Sequence, residues 1–173
     1  TLQQLYTMRI LVTGSEGFLG KVLCRQLRSD SHEVIGYDIA NGKDILDNVQ
    51  LREAMIDCDV CIHLAAIADL YIAEHQPELA RNLNINATKS LLEIAEQSHV
   101  RVLFASTVCA YGNNGVTVSV EESPLAPTEV YAESKAEAER LFYDKLDRHA
   151  ILRLATFYGP NMRTSLATSI FIE

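Results

Sequence analysis

The chain lacks any apolar run long enough to span a bilayer, and it lacks a surplus of positive charge. Its formal net charge is −8 and its sequence pI is near 5.1. That balance argues against nucleic acid or anionic membranes as main partners. Cysteine is scarce too: Cys24, Cys58, Cys61 and Cys109 are the only four. Cys58 and Cys61 form a C-x-x-C, but no second ligand pair at zinc spacing accompanies them. Cys61 lies in the apolar run Val60-Cys-Ile-His-Leu64. The expectation for this pair is therefore small buried thiols in a reducing cytoplasm, with no metal. Residues 1–7 lack the charged start and long apolar core of a secretory leader. Met8-Arg9 reads as a natural start, so residues 1–7 are expected to be a tag or extension. Internal repeats and low-complexity segments are missing as well.

What is present is an alternation. The 173 residues are 48% hydrophobic, enough for one domain with a substantial core. Strands are expected at 10–13, 34–37, 60–64, 100–104 and 150–154, with a possible edge strand in 42–45. Helices are expected at 17–28, from Asp47 or Asn48 to Met55, at 77–97 and at 129–146. Asn113-Asn114-Gly115 opens a polar loop. Strands alternating with helices form β-α-β units, hence an α/β fold with a doubly wound parallel sheet in a three-layer αβα sandwich. Ligands in such sheets bind at the carboxyl ends of the strands. Gly14, Asp38, Ala65, Thr107 and Thr156 all fall just after a strand.

Two motifs carry chemistry. Ile10-Leu-Val-Thr13 runs into Gly14-Ser-Glu-Gly17-Phe-Leu-Gly20. Glycines at that spacing permit a tight turn, close approach of a pyrophosphate and close helix–strand packing. The helix that follows offers free N–H groups and a partial positive charge to the phosphates. Asp38, at the end of the second strand, is placed to accept hydrogen bonds from an adenosine ribose and to repel a 2′-phosphate, which favours NAD over NADP. The weaker alternative is a mere turn residue. Tyr131 and Lys135 are four apart, on one face of a helix. A lysine there can lower the phenol's pKa. Such a pair alone is weak evidence; downstream of the glycine turn it gains weight.

These residues, with Asp44-Ile45, His63-Leu-Ala-Ala66, Asn84-Ile-Asn-Ala-Thr88, Ser106-Thr-Val-Cys-Ala-Tyr-Gly112 and Arg153-x-x-Thr-x-Tyr-Gly-Pro160, resemble the extended short-chain dehydrogenase/reductase family, the NAD-dependent sugar-nucleotide epimerases and dehydratases. The resemblance implies a Rossmann-like NAD-binding domain over residues 8–173. Gly14, Gly17, Phe18, Leu19 and Gly20 then form the phosphate turn, and Asp38 holds the ribose. Asp44 and Ile45 resemble the pair that contacts adenine. Leu64, Ala65 and Ala66 resemble the strand end along which the cofactor passes, and Asn84 the asparagine that steadies it. Thr107, Tyr131 and Lys135 resemble the catalytic set: a hydroxyl that orients the sugar, a general base, and a lysine that also holds the nicotinamide ribose. Taken singly, Thr107 could satisfy the strand-end backbone, and Asn84 could be a helix-surface residue. His63 reads better as a satisfied strand-end histidine than as a catalyst.

Departures from the family pattern narrow the chemistry. The dehydratases resemble Ser-Thr-Asp-Glu-Val-Tyr-Gly at this strand end, where this chain has Val108 and Cys109. Neither can supply the acid and base of water elimination. Epimerisation of a nucleotide-sugar through transient hydride transfer and a keto-sugar intermediate fits best. An NAD-dependent sugar dehydrogenase or reductase, or a non-catalytic NAD-binding module, are the alternatives. Thr156 stands where the family often has asparagine, which weakens the expectation of phosphate contact there. The family's C-terminal substrate lobe is expected to be mostly absent. The resemblance also implies a homodimer, through segments 80–97 and 129–146, and a cytoplasmic location.

Overall fold

The computed structural model describes residues 7–145 and 147–159. Pro160 of the Arg153 motif, Leu146 at the end of the last expected helix, and the domain limit at Glu173 lie outside the described residues.

Five strands form one parallel sheet: β1 (Arg9–Thr13), β2 (Glu33–Tyr37), β3 (Val60–His63), β4 (Arg101–Thr107) and β5 (Ala150–Leu154), in the order β2-β1-β3-β4-β5. β1 is an interior strand and apolar because both its faces are covered. Ile10 and Val12 pack on helix α1 (Phe18–Ser29) through Leu23, Cys24 and Leu27. Leu11 faces the opposite layer, with Leu51 and Met55 of α2 (Asn48–Met55) and Leu91 and Leu92 of α5 (Ala87–Gln97). Ala138 of α6 (Val130–Glu139) joins that layer. This is the three-layer, doubly wound, Rossmann-like architecture that the alternation predicts. The chain crosses from one side of β1 to the other between β2 and β3. The carboxyl ends of β1 and β3 therefore flank the switch point where such sheets bind ligands.

Three expectations need correction, and one helix is additional. Residues 42–45 form no edge strand. Asp38 caps a 3₁₀ turn (Ile39–Asn41), and Asp44 Oδ1 accepts the Leu46 N–H at 2.9 Å, so the segment closes on itself as consecutive turns. The 77–97 helix is not uniform. It runs as α4 (Pro77–Arg81), a π-helical stretch (Asn82–Asn86) and α5. α6 stops at Glu139 and tightens into a 3₁₀ turn (Arg140–Phe142), where Phe142 enters the core against Phe104 and His149. A short helix, α3 (Leu70–His75), precedes α4 and was not expected. It caps the start of α6, because Glu74 Oε1 accepts the Val130 N–H at 3.0 Å.

Candidate active site

The glycine turn is fixed by close backbone approach. Gly14 has φ +70, and a Cβ there would stand 2.8 Å from the Ala65 backbone nitrogen. A Cβ on Gly20 would stand 2.1 Å from the Gly14 carbonyl oxygen. Only glycine lets the turn seat against the 64–65 backbone and α1 seat on the turn. Gly17 caps α1 without a side-chain partner, so the free N–H groups of the first helical turn face the switch point. Phe18 and Leu19 are half-buried at that end of α1. Asp38 is half-buried at the end of β2. Its Oδ1 accepts the Ala40 N–H and its Oδ2 accepts the Glu16 N–H, both at 3.0 Å. The aspartate is thus a turn residue and also a carboxylate pinned to the phosphate turn; the two readings coexist. Asp44 closes its own turn, and its carbonyl accepts the Tyr37 hydroxyl at 2.8 Å. The Ile45 side chain is core, 8% exposed, so adenine contact there falls to its backbone. These donors, the glycine cradle and Asp38 fit a dinucleotide.

The end of β3 is held by a chain of hydroxyls around His63, which is 1% exposed. Thr88 Oγ1 donates to the Asn84 carbonyl at 2.8 Å and so accepts from His63 Nε2 at 2.9 Å. His63 Nδ1 then accepts from Thr13 Oγ1 at 2.7 Å, and Thr13 Oγ1 accepts the Ala65 N–H at 3.2 Å. Burial, with Lys135 adding repulsion, pushes His63 down to about 3. His63 is a neutral structural group. Leu64, Ala65 and Ala66 are half-buried just beyond it. Asn84 is fully buried, because the π-helical turn rotates it inward. Its Oδ1 accepts the Ile67 N–H at 2.8 Å, while Nδ2 donates to the Ile67 carbonyl at 3.1 Å and to Ser134 Oγ at 2.9 Å. Asn84 therefore clamps the loop after β3 to α6.

Thr107 ends β4 and caps the 3₁₀ turn Val108–Tyr111, its Oγ1 accepting the Cys109 N–H at 3.2 Å. The Thr107 side chain also lies beside the Tyr131 phenol and favours its ionised form. The structure brings these two expected residues together. Burial is the largest influence on Tyr131 and pushes it up, Cys109 adds to that, and Thr107 pulls against it. Depression of the phenol by Lys135 is not what this geometry gives. Lys135 is 2% exposed, and its Nζ lies 4.0 Å from the centroid of the Phe104 ring. Burial pushes Lys135 down to about 7, and Glu139 opposes that shift.

Sequence reasoning missed Glu139, which is fully buried one turn beyond Lys135. Ser106 Oγ donates to it, and Arg153 forms a fork on it, the Nη2–Oε2 distance being 2.8 Å. A signal existed. Arg153 is a cation in an apolar strand, and a buried cation demands a nearby anion. Thr156 and Tyr158 are exposed. The four cysteines are free, and among the described residues no cluster suited to a metal ion is found.

Comparison with known proteins agrees with this geometry. The model of the NAD dependent epimerase/dehydratase family matches residues 10–173. YtcB of Bacillus subtilis, described as an uncharacterized UDP-glucose epimerase, is 32% identical over 92% of this chain and 60% of its own length. Methionine adenosyltransferase 2 subunit beta of Xenopus laevis is 28% identical over 94% of this chain and 52% of its own. The chain thus spans between 52% and 60% of the length of these curated relatives. MoeE5, solved with UDP-glucuronic acid and NAD, superposes with a TM-score of 0.84 at 29% identity, covering 95% of this chain and 60% of that one. DesIV of Streptomyces venezuelae, a dTDP-glucose 4,6-dehydratase solved with NAD and TYD, gives 0.87 at 28% identity, covering 95% and 61%. With its glycine turn, its switch-point sheet and a family match over nearly its whole length, the chain belongs to the NAD dependent epimerase/dehydratase family.

Proposed function

We propose that this chain is the NAD-binding and catalytic domain of a nucleotide-sugar epimerase, spanning residues 8–173. The observation that carries the reading is the placement of the Thr107 side chain, at the end of β4, beside the Tyr131 phenol, on the carboxyl side of the sheet that also holds the glycine turn. NAD, the family's cofactor, would lie from Asp38 past Gly14, Gly17 and Gly20 to Lys135, and it supplies the reversible hydride transfer. The residues do the rest. Thr107 orients a sugar hydroxyl toward Tyr131. Tyr131, as its phenolate, takes that proton and later returns it. Lys135 holds the nicotinamide ribose and its charge favours the phenolate once a polar ligand fills the site. Asn84 fixes the loop that the cofactor crosses. Val108 and Cys109 bring no carboxylate for eliminating water, which supports epimerisation over dehydration. The likeness to YtcB points to a UDP-hexose as substrate class.

A second reading has one observation in its favour. The likeness to a subunit of methionine adenosyltransferase 2 suggests a cofactor-binding module within an assembly. One experiment separates the two. The protein is incubated with NAD and UDP-glucose carrying deuterium at C4, and the products are followed by NMR. Formation of the C4 epimer with deuterium retained supports the epimerase. Tight NAD binding with no turnover of UDP-linked sugars sinks it in favour of the module. A homodimer through α5 and α6 and a cytoplasmic setting complete the proposal. No helix among the described residues is long and apolar enough to cross a membrane. Light scattering that finds a monomer at micromolar concentration refutes the dimer.

A further inference from the structure

Lys135 occupies an apolar setting that disfavours an ammonium group. The Phe104 ring on β4 lies under its Nζ, and the same ring meets neutral His63 of β3 at 5.7 Å between centroids. On its own helix, Tyr131 sits one turn back and Glu139 one turn on. Behind Glu139 stands Arg153 of β5, whose Nε lies 3.1 and 3.2 Å from the two carboxylate oxygens. Arg153 Nη1 continues to the Tyr111 hydroxyl and the Glu121 carbonyl, both at 2.8 Å. One carboxylate thus pairs by contact with the half-buried Arg153 and stands one helical turn from the buried Lys135. The same carboxylate accepts from Ser106, the residue before Thr107, while Tyr111 ends the turn that Thr107 begins. One group on α6 therefore ties down both flanks of Thr107.

We propose that Glu139 is a positioning residue of the candidate site: its carboxylate is the counter-charge of Lys135 and, through Ser106 and Arg153, the tie that keeps Thr107 within reach of Tyr131. This rests on the assignment of Thr107, Tyr131 and Lys135 made above. Glu139 is the group that opposes the downward shift of Lys135. Removing an opposite charge lets a buried lysine fall further; removing Arg153, which shares the carboxylate, does the reverse.

The test follows the titration of Lys135 by NMR of ¹³C-labelled lysine, with its signal assigned through Lys135→Met. Glu139→Gln should lower the midpoint by roughly one pH unit or more, and Arg153→Met should raise it. Glu139→Asp should restore part of the shift. Midpoints that stay put, or that move in the same direction in both variants, mean a merely structural pair and overturn the proposal. If Glu139→Gln fails to fold, the Glu139→Gln/Arg153→Met double removes both charges. Its Lys135 midpoint must still lie below that of Arg153→Met alone, or the proposal fails. Tyr131→Phe keeps the two levels apart. Near-normal turnover in that variant refutes the underlying assignment whatever the lysine does. Lost turnover with an unmoved lysine in Glu139→Gln refutes this inference alone.

Discussion

The two halves of the site are built by different means. The cofactor half, from Gly14 to Asp38, is made of backbone: a left-handed glycine, close contacts that no Cβ could tolerate, and N–H groups at a helix start. The catalytic half, from Asn84 to Arg153, is made of buried side chains that satisfy one another across distant segments. Asn84 reaches Ser134, and Ser106 and Arg153 reach Glu139. Backbone cradles tolerate change in the side chains around them but not in the glycines. Side-chain networks fail when any one member is removed, because the remaining buried groups lose their partners.

That contrast can be broken at several points. The largest effect belongs to Tyr131→Phe in the catalytic half. It removes the general base and should cut turnover by roughly 10²–10⁴-fold while calorimetry finds NAD binding nearly intact. Near-normal turnover would sink the mechanism. Gly14→Ala attacks the cofactor half. It forces a Cβ onto the Ala65 nitrogen at φ +70, so strain of about 1–3 kcal/mol plus the clash should appear as a lower melting temperature, with NAD affinity largely lost. An alanine variant that binds NAD normally would mean the turn does not carry the phosphates. Asn84→Ala should cost about 1–3 kcal/mol for each buried group it orphans. It should loosen both halves at once, read as destabilisation in denaturant together with weaker NAD binding. If binding is unaffected, the clamp between loop and helix is irrelevant to the cofactor.

Asp38→Ala is subtler. Its carboxylate has two backbone donors, so its loss should relax the preference for NAD over NADP by about tenfold, near 1.4 kcal/mol. Unchanged discrimination in paired titrations with NADH and NADPH would show that the carboxylate only caps its turn. The gentlest perturbation is pH. His63 ionises near 3 in the fold against 6.5 unfolded, so the unfolded chain binds the extra proton between those values. Stability should fall as pH drops through that window. Lys135, lowered from 10.5 to about 7, has the same sign: its contribution improves as pH rises from about 7 toward 10.5. Denaturant melts across pH check both. In His63→Gln the acid limb of the profile should flatten, and an unchanged limb would clear the histidine.

The same contrast explains what could be read in advance. Ile10 to Gly20 was legible because a buried strand, a glycine turn and an amphipathic helix each leave a local signature. Asp47 was legible as a helix cap, and it accepts the Val49 and Gln50 N–H groups. The edge strand at 42–45 was misjudged because the Asp38 and Asp44 side chains capture their own backbone, a competition that composition does not reveal. The length of the last helix was misjudged for another reason. Phe142 turns into the core against Phe104 and His149, and that choice depends on β4 and on a residue in the following loop.

By itself the sequence determined the alternation of strands and helices, the parallel sheet, the glycine turn and the placement of Tyr131 and Lys135 one turn apart on a helix. All of these follow from local periodicity and from spacing within one element. Only the tertiary structure decided that His63 is neutral, that Lys135 lies over the Phe104 ring, and that Asn84 turns inward. Only it revealed that one carboxylate, Glu139, answers Arg153 from a strand 14 residues further along the chain. Ionisation and hydrogen-bond satisfaction are set by what surrounds a group in three dimensions, and those neighbours come from segments that spacing along the chain does not connect.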